Sequence, residues 1–213
     1  GNPADISKRN DELIALAAKH RDMIAIATVH PYDGDAALAE VDRVAARGIK
    51  LLKIHPHTQK FDAADPRVLT LVKRAGDRGM IVVMDNASIV PSDNEKLFNL
   101  ALAAPKTKFI FGHMGGLGFR FWNILALART AENLFADNIY FDISGSVILA
   151  ADSPIEAEFV WTIRNVGVDH VLIASDFPQI SLPKTLEAFA KLDLTDEERA
   201  KIRSGNARKL LGL

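Results

Sequence analysis

Apolar residues in this chain fall into short solid runs, each followed by a longer stretch with helical spacing. The runs occupy residues 23–30, 49–55, 80–84, 108–112, 139–143 and 171–174. They read as six strands, because they are short, rich in Val, Ile, Leu and Phe, and bounded by turn residues. The intervening segments read as helices. Leu13, Ile14, Leu16 and Ala17 mark the first, over residues 10–20. Others are predicted at 36–47, closed by Gly48, from Asp65-Pro66 to Arg78, and from Ser92-Asp93 to a stop at Pro105. Further helices follow at 121–135, from Ser153-Pro154 to Gly167, and at 183–192, and the capping box Thr195-Asp196-Glu197-Glu198 opens the last.

The strands start roughly every 26–31 residues, the length of a βα unit. Solid apolar runs point to a parallel sheet buried on both faces. The fold class is therefore α/β: a TIM-like (β/α) barrel with six recognisable βα units. A closed barrel needs eight strands and usually about 250 residues, so the expectation is an incomplete (β/α)8 barrel, with a first helix that lacks a preceding strand. A doubly wound open sheet is the alternative. No glycine-rich phosphate loop favours it, and Gly115-Gly116-Leu117-Gly118 is a weak match. No linker or shift in composition divides the chain, so residues 1–213 are expected to form one domain.

With 48% hydrophobic and 25% charged residues and a net charge of −1, the composition is that of a globular domain. It offers no electrostatic case for nucleic acid or a membrane surface. The absence of cysteine excludes disulfides, thiolate metal sites and cysteine nucleophiles. No apolar run approaches the ~20 residues of a membrane span, and no signal-peptide core stands at the start, so cytoplasm is the default compartment. Two missing strands would leave two sheet edges open. Another chain, the N-terminal segment or rearranged pairing should satisfy them, and a homo-oligomer is expected.

Several strands finish on residues able to do chemistry, as strands of a parallel barrel do at its active-site mouth. Asp176 follows the sixth run and is stopped by Pro178; His113 follows the fourth; Asp85 follows the third. These three positions, with Lys53, are expected at one strand-end face. Asp176 and His113 are the catalytic candidates. Lys53, His55 and His57 alternate along one face, and an ammonium inside an apolar strand is costly to bury without a partner. Lys53 and His55 are the substrate-binding candidates, while His57 reads as a loop residue. Asp85-Asn86 also reads as an Asx turn. Asp142 reads as structural, and His20, His30 and His170 are assigned no role.

In order, Lys53-Ile54-His55-Pro56, Phe111-Gly112-His113-Met114-Gly115-Gly116, Asn138 to Gly145, Ala174-Ser175-Asp176-Phe177-Pro178 and Gly205 to Leu211 resemble the amidohydrolase superfamily. The likeness is to its branch of metal-dependent barrel hydrolases and decarboxylases, which includes the aminocarboxymuconate-semialdehyde and resorcylate decarboxylases. It runs from about Met23 to the C-terminus. The resemblance implies a divalent metal, usually zinc, held by a His-x-His pair, a fifth-strand histidine and a last-strand aspartate. Asp176 would be that aspartate and the general base; His113 would be the sixth-strand histidine that bonds metal-bound water or substrate. The pair that the family carries on its first strand is absent, and Asp85 stands at the fifth-strand position, which leaves Asp85, His113 and Asp176 as the metal set. The implied activity is hydrolysis of a small carboxylated or cyclic substrate by metal-activated water. Non-oxidative decarboxylation, or a degenerate non-catalytic barrel, are the alternatives.

Overall fold

A computed structural model describes residues 2–213. Six strands are present: β1 (Ile26–Thr28), β2 (Leu51–Ile54), β3 (Ile81–Met84), β4 (Lys108–Phe111), β5 (Ile139–Asp142) and β6 (Val171–Leu172). Their sheet order is their sequence order, β1-β2-β3-β4-β5-β6. The β1–β2, β2–β3 and β5–β6 pairings are parallel. This is the α/β arrangement expected of consecutive βα units, with β1 and β6 ending the order. Among the described residues no helix is long and apolar enough to cross a membrane. Contacts group the chain into two compact units, residues up to 85 with 95–110, and residues 86–94 with 111–213.

The first unit carries β1 to β3, most of β4, and helices α1 (Pro3–Ala17), α2 (Asp35–Ala46), α3 (Pro56–Gln59), α4 (Pro66–Asp77) and most of α5 (Asp93–Ala103). Helix α4 shows how sequence makes structure here. Asp65 caps it by accepting from the Arg67 amide, Pro66 opens it, and Val68, Leu71, Val72 and Ala75 form its buried stripe. Gly76 lets α4 approach Thr107, since a Cβ there would lie 2.2 Å from the threonine hydroxyl. The strands are buried on both faces at Leu51–Leu52 and Ile81–Val82, as expected. Ala27, Leu52, Ile54, Val82 and Met84 are buried, but Ile26 is 38% exposed and Lys53 is exposed. The register pairs Thr28 with Lys53 and Lys53 with Val83, placing them across one face. Lys53 is a lysine inside an apolar strand whose charge stays in water.

The outer edge of β1 is closed by a side chain. Asn10, fully buried on α1, donates from Nδ2 to the Thr28 carbonyl at 2.9 Å and accepts from the Thr28 amide through Oδ1 at 2.9 Å. A carboxamide has the same donor and acceptor pair as a peptide group, so Asn10 takes the place of a neighbouring strand. It also donates to Glu40 on α2 at 2.7 Å. Glu40 in turn accepts from Ser7 at 2.7 Å and from Arg43 through two nitrogens at 2.8 Å. Burial alone would raise the Glu40 pKa, but the bonds from Arg43, Asn10 and Ser7 outweigh it and hold the carboxyl at about 2.

The second unit carries β5, β6 and helices α6 (Ile124–Ala128), α7 (Ser146–Ala150), α8 (Glu156–Val166), α9 (Leu182–Lys191), α10 (Asp196–Ala200) and α11 (Asn206–Leu211). Its core is aromatic. Trp122 stacks on Phe111 at 5.3 Å and tilts against Phe141 at 4.9 Å, while Phe119 meets Phe159 edge-on at 5.2 Å. The long helix expected at 121–135 is replaced by 3-10 turns up to Asn123 and the five-residue α6. The expected capping box is present, with Thr195 and Glu198 bonding reciprocally. Strand β6 is shorter than expected, because the Ile173 amide leaves the ladder and donates to the Ile202 carbonyl at 3.2 Å. Here too a buried asparagine closes the edge: Asn206 Nδ2 donates to the Val168 and Val171 carbonyls, each at 2.7 Å. Of the three ways expected, β1 uses the N-terminal segment, while β6 uses the last helical turns, which the sequence reading did not name.

Two outcomes follow from the Asn10 cap. Asn10→Ala leaves the Thr28 amide and carbonyl without their buried partner and should lower stability by about 2–4 kcal/mol, read from the midpoint of urea unfolding. Glu40 contributes stability that is fully present above its unfolded pKa of 4.5 and is lost as pH falls towards about 2. Urea titrations across that window should therefore show a shallower acid loss in Glu40→Gln than in the unaltered chain.

Candidate functional site

Asp85, the residue after β3, lies 3.5 Å from His55 Nε2 within the first unit. His55 caps the short helix α3, its Nδ1 accepting from the Thr58 amide at 3.3 Å. An acceptor Nδ1 puts the ring proton of a neutral imidazole on Nε2, where it faces the Asp85 carboxylate. His57, expected in a loop, lies inside α3. His30 caps the turn after β1 in the same manner, accepting from the Tyr32 amide while Nε2 donates to the Gln59 carbonyl. Both rings hold chain ends in place.

His113, in the second unit, is different. It follows Gly112 at the end of β4 and has φ +61°, and Met114 after it has φ +47°. Two successive non-glycine residues in the left-handed region cost roughly 1–2 kcal/mol each. Strain of this kind persists where the surroundings hold it, and it clusters at working sites. The holders are identifiable. The His113 amide donates to Asp142 Oδ1 at 3.3 Å, and the Ser146 hydroxyl donates to the His113 carbonyl. The Gly115 amide donates to the Asn86 carbonyl at 2.9 Å. At Gly116, φ is +55° and a Cβ would sit 2.5 Å from the Ala87 carbonyl oxygen. The glycines of this stretch serve a tight backbone approach, as the weak match to a phosphate loop suggested.

The ring of His113 is equally fixed. Its Nδ1 lies 2.8 Å from the Ser144 carbonyl and 3.1 Å from the Ser144 hydroxyl. A carbonyl only accepts, so Nδ1 carries a proton. The Ser144 hydroxyl donates to Asp142 Oδ1, which also accepts from the Ser144 amide at 3.0 Å. Asp142, read from sequence as structural, is the carboxylate that organises the turn behind His113.

Sequence reasoning missed Asn86 and Ser144. Asn86 is fully buried, donating to Asn94 Oδ1 at 2.8 Å and accepting from the Trp122 indole at 3.1 Å. Asn94 also accepts from the Ser88 hydroxyl at 2.9 Å and donates to the Gly118 carbonyl at 3.2 Å. The available signal was the recurrence of Asn86, Ser88 and Asn94 directly after an apolar strand, which an Asx-turn reading absorbed. Asp176 is exposed, also has positive φ at +65°, and its carbonyl accepts from the Ile180 amide at 3.3 Å.

Among the described residues, no group of three or more His, Asp or Glu side chains could hold a metal ion. Asp85 belongs to the first unit and faces His55, while His113 and Asp176 belong to the second, where one nitrogen of His113 is bonded to Ser144.

Comparison with known proteins places these features. The chain is 28% identical over 122 residues to a gamma-resorcylate decarboxylase from Polaromonas sp., a match covering 51% of this chain and 35% of that relative. The chain thus spans about a third of that relative's length. Its fold is similar to a 2,6-dihydroxybenzoate decarboxylase from Rhizobium, with TM-score 0.76 and 19% identity over 99% of this chain and 77% of that one. It is also similar to a dihydroxybenzoic acid decarboxylase from Polaromonas sp. with bound manganese and 2-nitroresorcinol, with TM-score 0.74 and 18% identity over 99% and 76% of the two chains. At these identities the structural likeness speaks for the barrel fold alone. The sequence profile of the amidohydrolase family, however, matches from residue 3 to residue 213, and the chain belongs to that family.

Proposed function

We propose that this chain belongs to a non-oxidative decarboxylase acting on a small hydroxylated aromatic acid. The observation that carries the reading is His113, held in a left-handed conformation at a strand end with its ring proton on Nδ1. Such a ring offers Nε2 to a ligand's hydroxyl or carboxyl proton. The decarboxylases similar to this chain supply the reaction class and favour it over the hydrolysis that the sequence first suggested.

In this reading His113 orients the carboxylated ring through Nε2. Asp176, in its protonated form, delivers a proton to the ring carbon that bears the carboxylate. The bond from that carbon to the carboxylate then breaks, carbon dioxide leaves, and its bonding electrons restore the ring. Solvent reprotonates Asp176, so one proton is consumed per carbon dioxide released. Lys53, with its charge exposed on the first unit, offers attraction to an anionic ligand, and His55 remains a proposed substrate contact. Manganese accompanies one of the similar enzymes. Asp85, His113 and Asp176 are proposed as donors to such an ion, and no step is routed through it.

A second reading, a barrel that binds a ligand without turnover, is favoured by the missing group of three metal donors. One assay separates the two: carbon dioxide release from 2,6-dihydroxybenzoate and related hydroxybenzoates, with and without added manganese. The decarboxylase reading expects turnover that falls about 100-fold or more in His113→Ala and in Asp176→Asn, with fold retained by circular dichroism. Saturable binding of these acids without carbon dioxide release would establish the binding reading instead.

A further inference from the structure

The turn behind His113 contains a chain of hydrogen bonds that the proposed reaction does not itself use. Asp142 Oδ1 accepts the hydroxyl proton of Ser144. The same hydroxyl oxygen lies 3.1 Å from His113 Nδ1, which also faces the Ser144 carbonyl at 2.8 Å. With its own proton committed to the carboxylate, the Ser144 oxygen can only accept from the ring. The order is therefore carboxylate, hydroxyl, imidazole. Ser144 is 3% exposed, so little water competes for these bonds.

We infer that Asp142 and Ser144 are positioning residues that fix the tautomer and direction of His113. The inference rests on the reading of His113 given above. Three features of the chain make the assignment specific. Asp142 Oδ1 receives the His113 amide, the Ser144 amide and the Ser144 hydroxyl, so one oxygen ties the backbone of His113 to the partner of its ring. The Ser146 hydroxyl holds the His113 carbonyl from the following turn. Gly145 has φ +68°, and a Cβ there would stand 3.3 Å from Nδ1, so the backbone can bring Ser144 under the ring. Partners of this kind, behind a working histidine, raise its basicity and hold its orientation. His170 also turns Nδ1 to a carbonyl, that of Ile139, while His55 and His30 accept through Nδ1, so what sets His113 apart is the Ser144–Asp142 pair behind its ring.

The test is nitrogen-15 NMR of the imidazoles at about pH 8, where an unperturbed ring is neutral. His113→Gln identifies the signals. The inference expects the Nδ1-protonated form to dominate at His113. It also expects Ser144→Ala, which removes only a hydroxyl, to lower the ratio of Nδ1-H to Nε2-H by about threefold or more, the scale of one modest hydrogen bond. Asp142→Ala should do at least as much. A dominant Nε2-H form in the unaltered chain, or a change smaller than about threefold in both variants, would overturn the inference. This readout needs no substrate, so a chain that releases no carbon dioxide would end the decarboxylase reading and leave this test intact. Where turnover is measured, Ser144→Ala should lower kcat about 10-fold or more with KM little changed. An unchanged kcat would contradict the positioning role.

Discussion

A row of parallel strands in sequence order ends, on each side, in a strand whose outward peptide groups have no neighbour. Leaving them to water invites pairing with other chains, and burying them without partners costs free energy. This chain meets that constraint with two buried asparagines. Asn10 reproduces both halves of a peptide group against Thr28, and Asn206 supplies two donors to the carbonyls at 168 and 171. Each asparagine sits on a helix at one extremity of the described chain. The terminal helices therefore act as substitutes for strands, and the sheet between them can keep its order.

The Asn10 cap has a support of its own. A neutral side chain bonded to a half-open edge would exchange with water unless something fixed its other donor. Glu40 does this, and Arg43 and Ser7 keep Glu40 ionised although it is largely buried. In the second unit the same logic operates at the site. His113 occupies a conformation it would not choose, and Asp142, Ser146 and the Asn86 carbonyl fix the turn around it. Buried polar side chains bonded to backbone define the edge in one unit and the turn at His113 in the other.

The sequence made the βα rhythm legible because solid apolar runs and cap residues are local signals. Asp65-Pro66 and Thr195 to Glu198 open helices where the sequence reading placed them. The family likeness was legible from ordered strand-end residues, and the profile match over residues 3–213 bears it out. Other features depend on partners distant in sequence. Asn10 looks like an ordinary residue of an exposed helix until Thr28 is beside it. Ser144 gives no hint of facing His113, 31 positions earlier. The exposure of Lys53 was hidden for a related reason, since the apolar run reports that a strand forms but not how far its cover extends.

The account's central claim is that the end strands are closed by the chain's own side chains. Native-state hydrogen exchange at the Thr28 amide tests it most directly, because that proton has Asn10 Oδ1 as its acceptor. Protection close to that of the buried Leu52 and Val82 amides is the result this account predicts. Exchange of Thr28 at the rate of a frayed or solvent-exposed amide, with the β2 and β3 amides still protected, would contradict it.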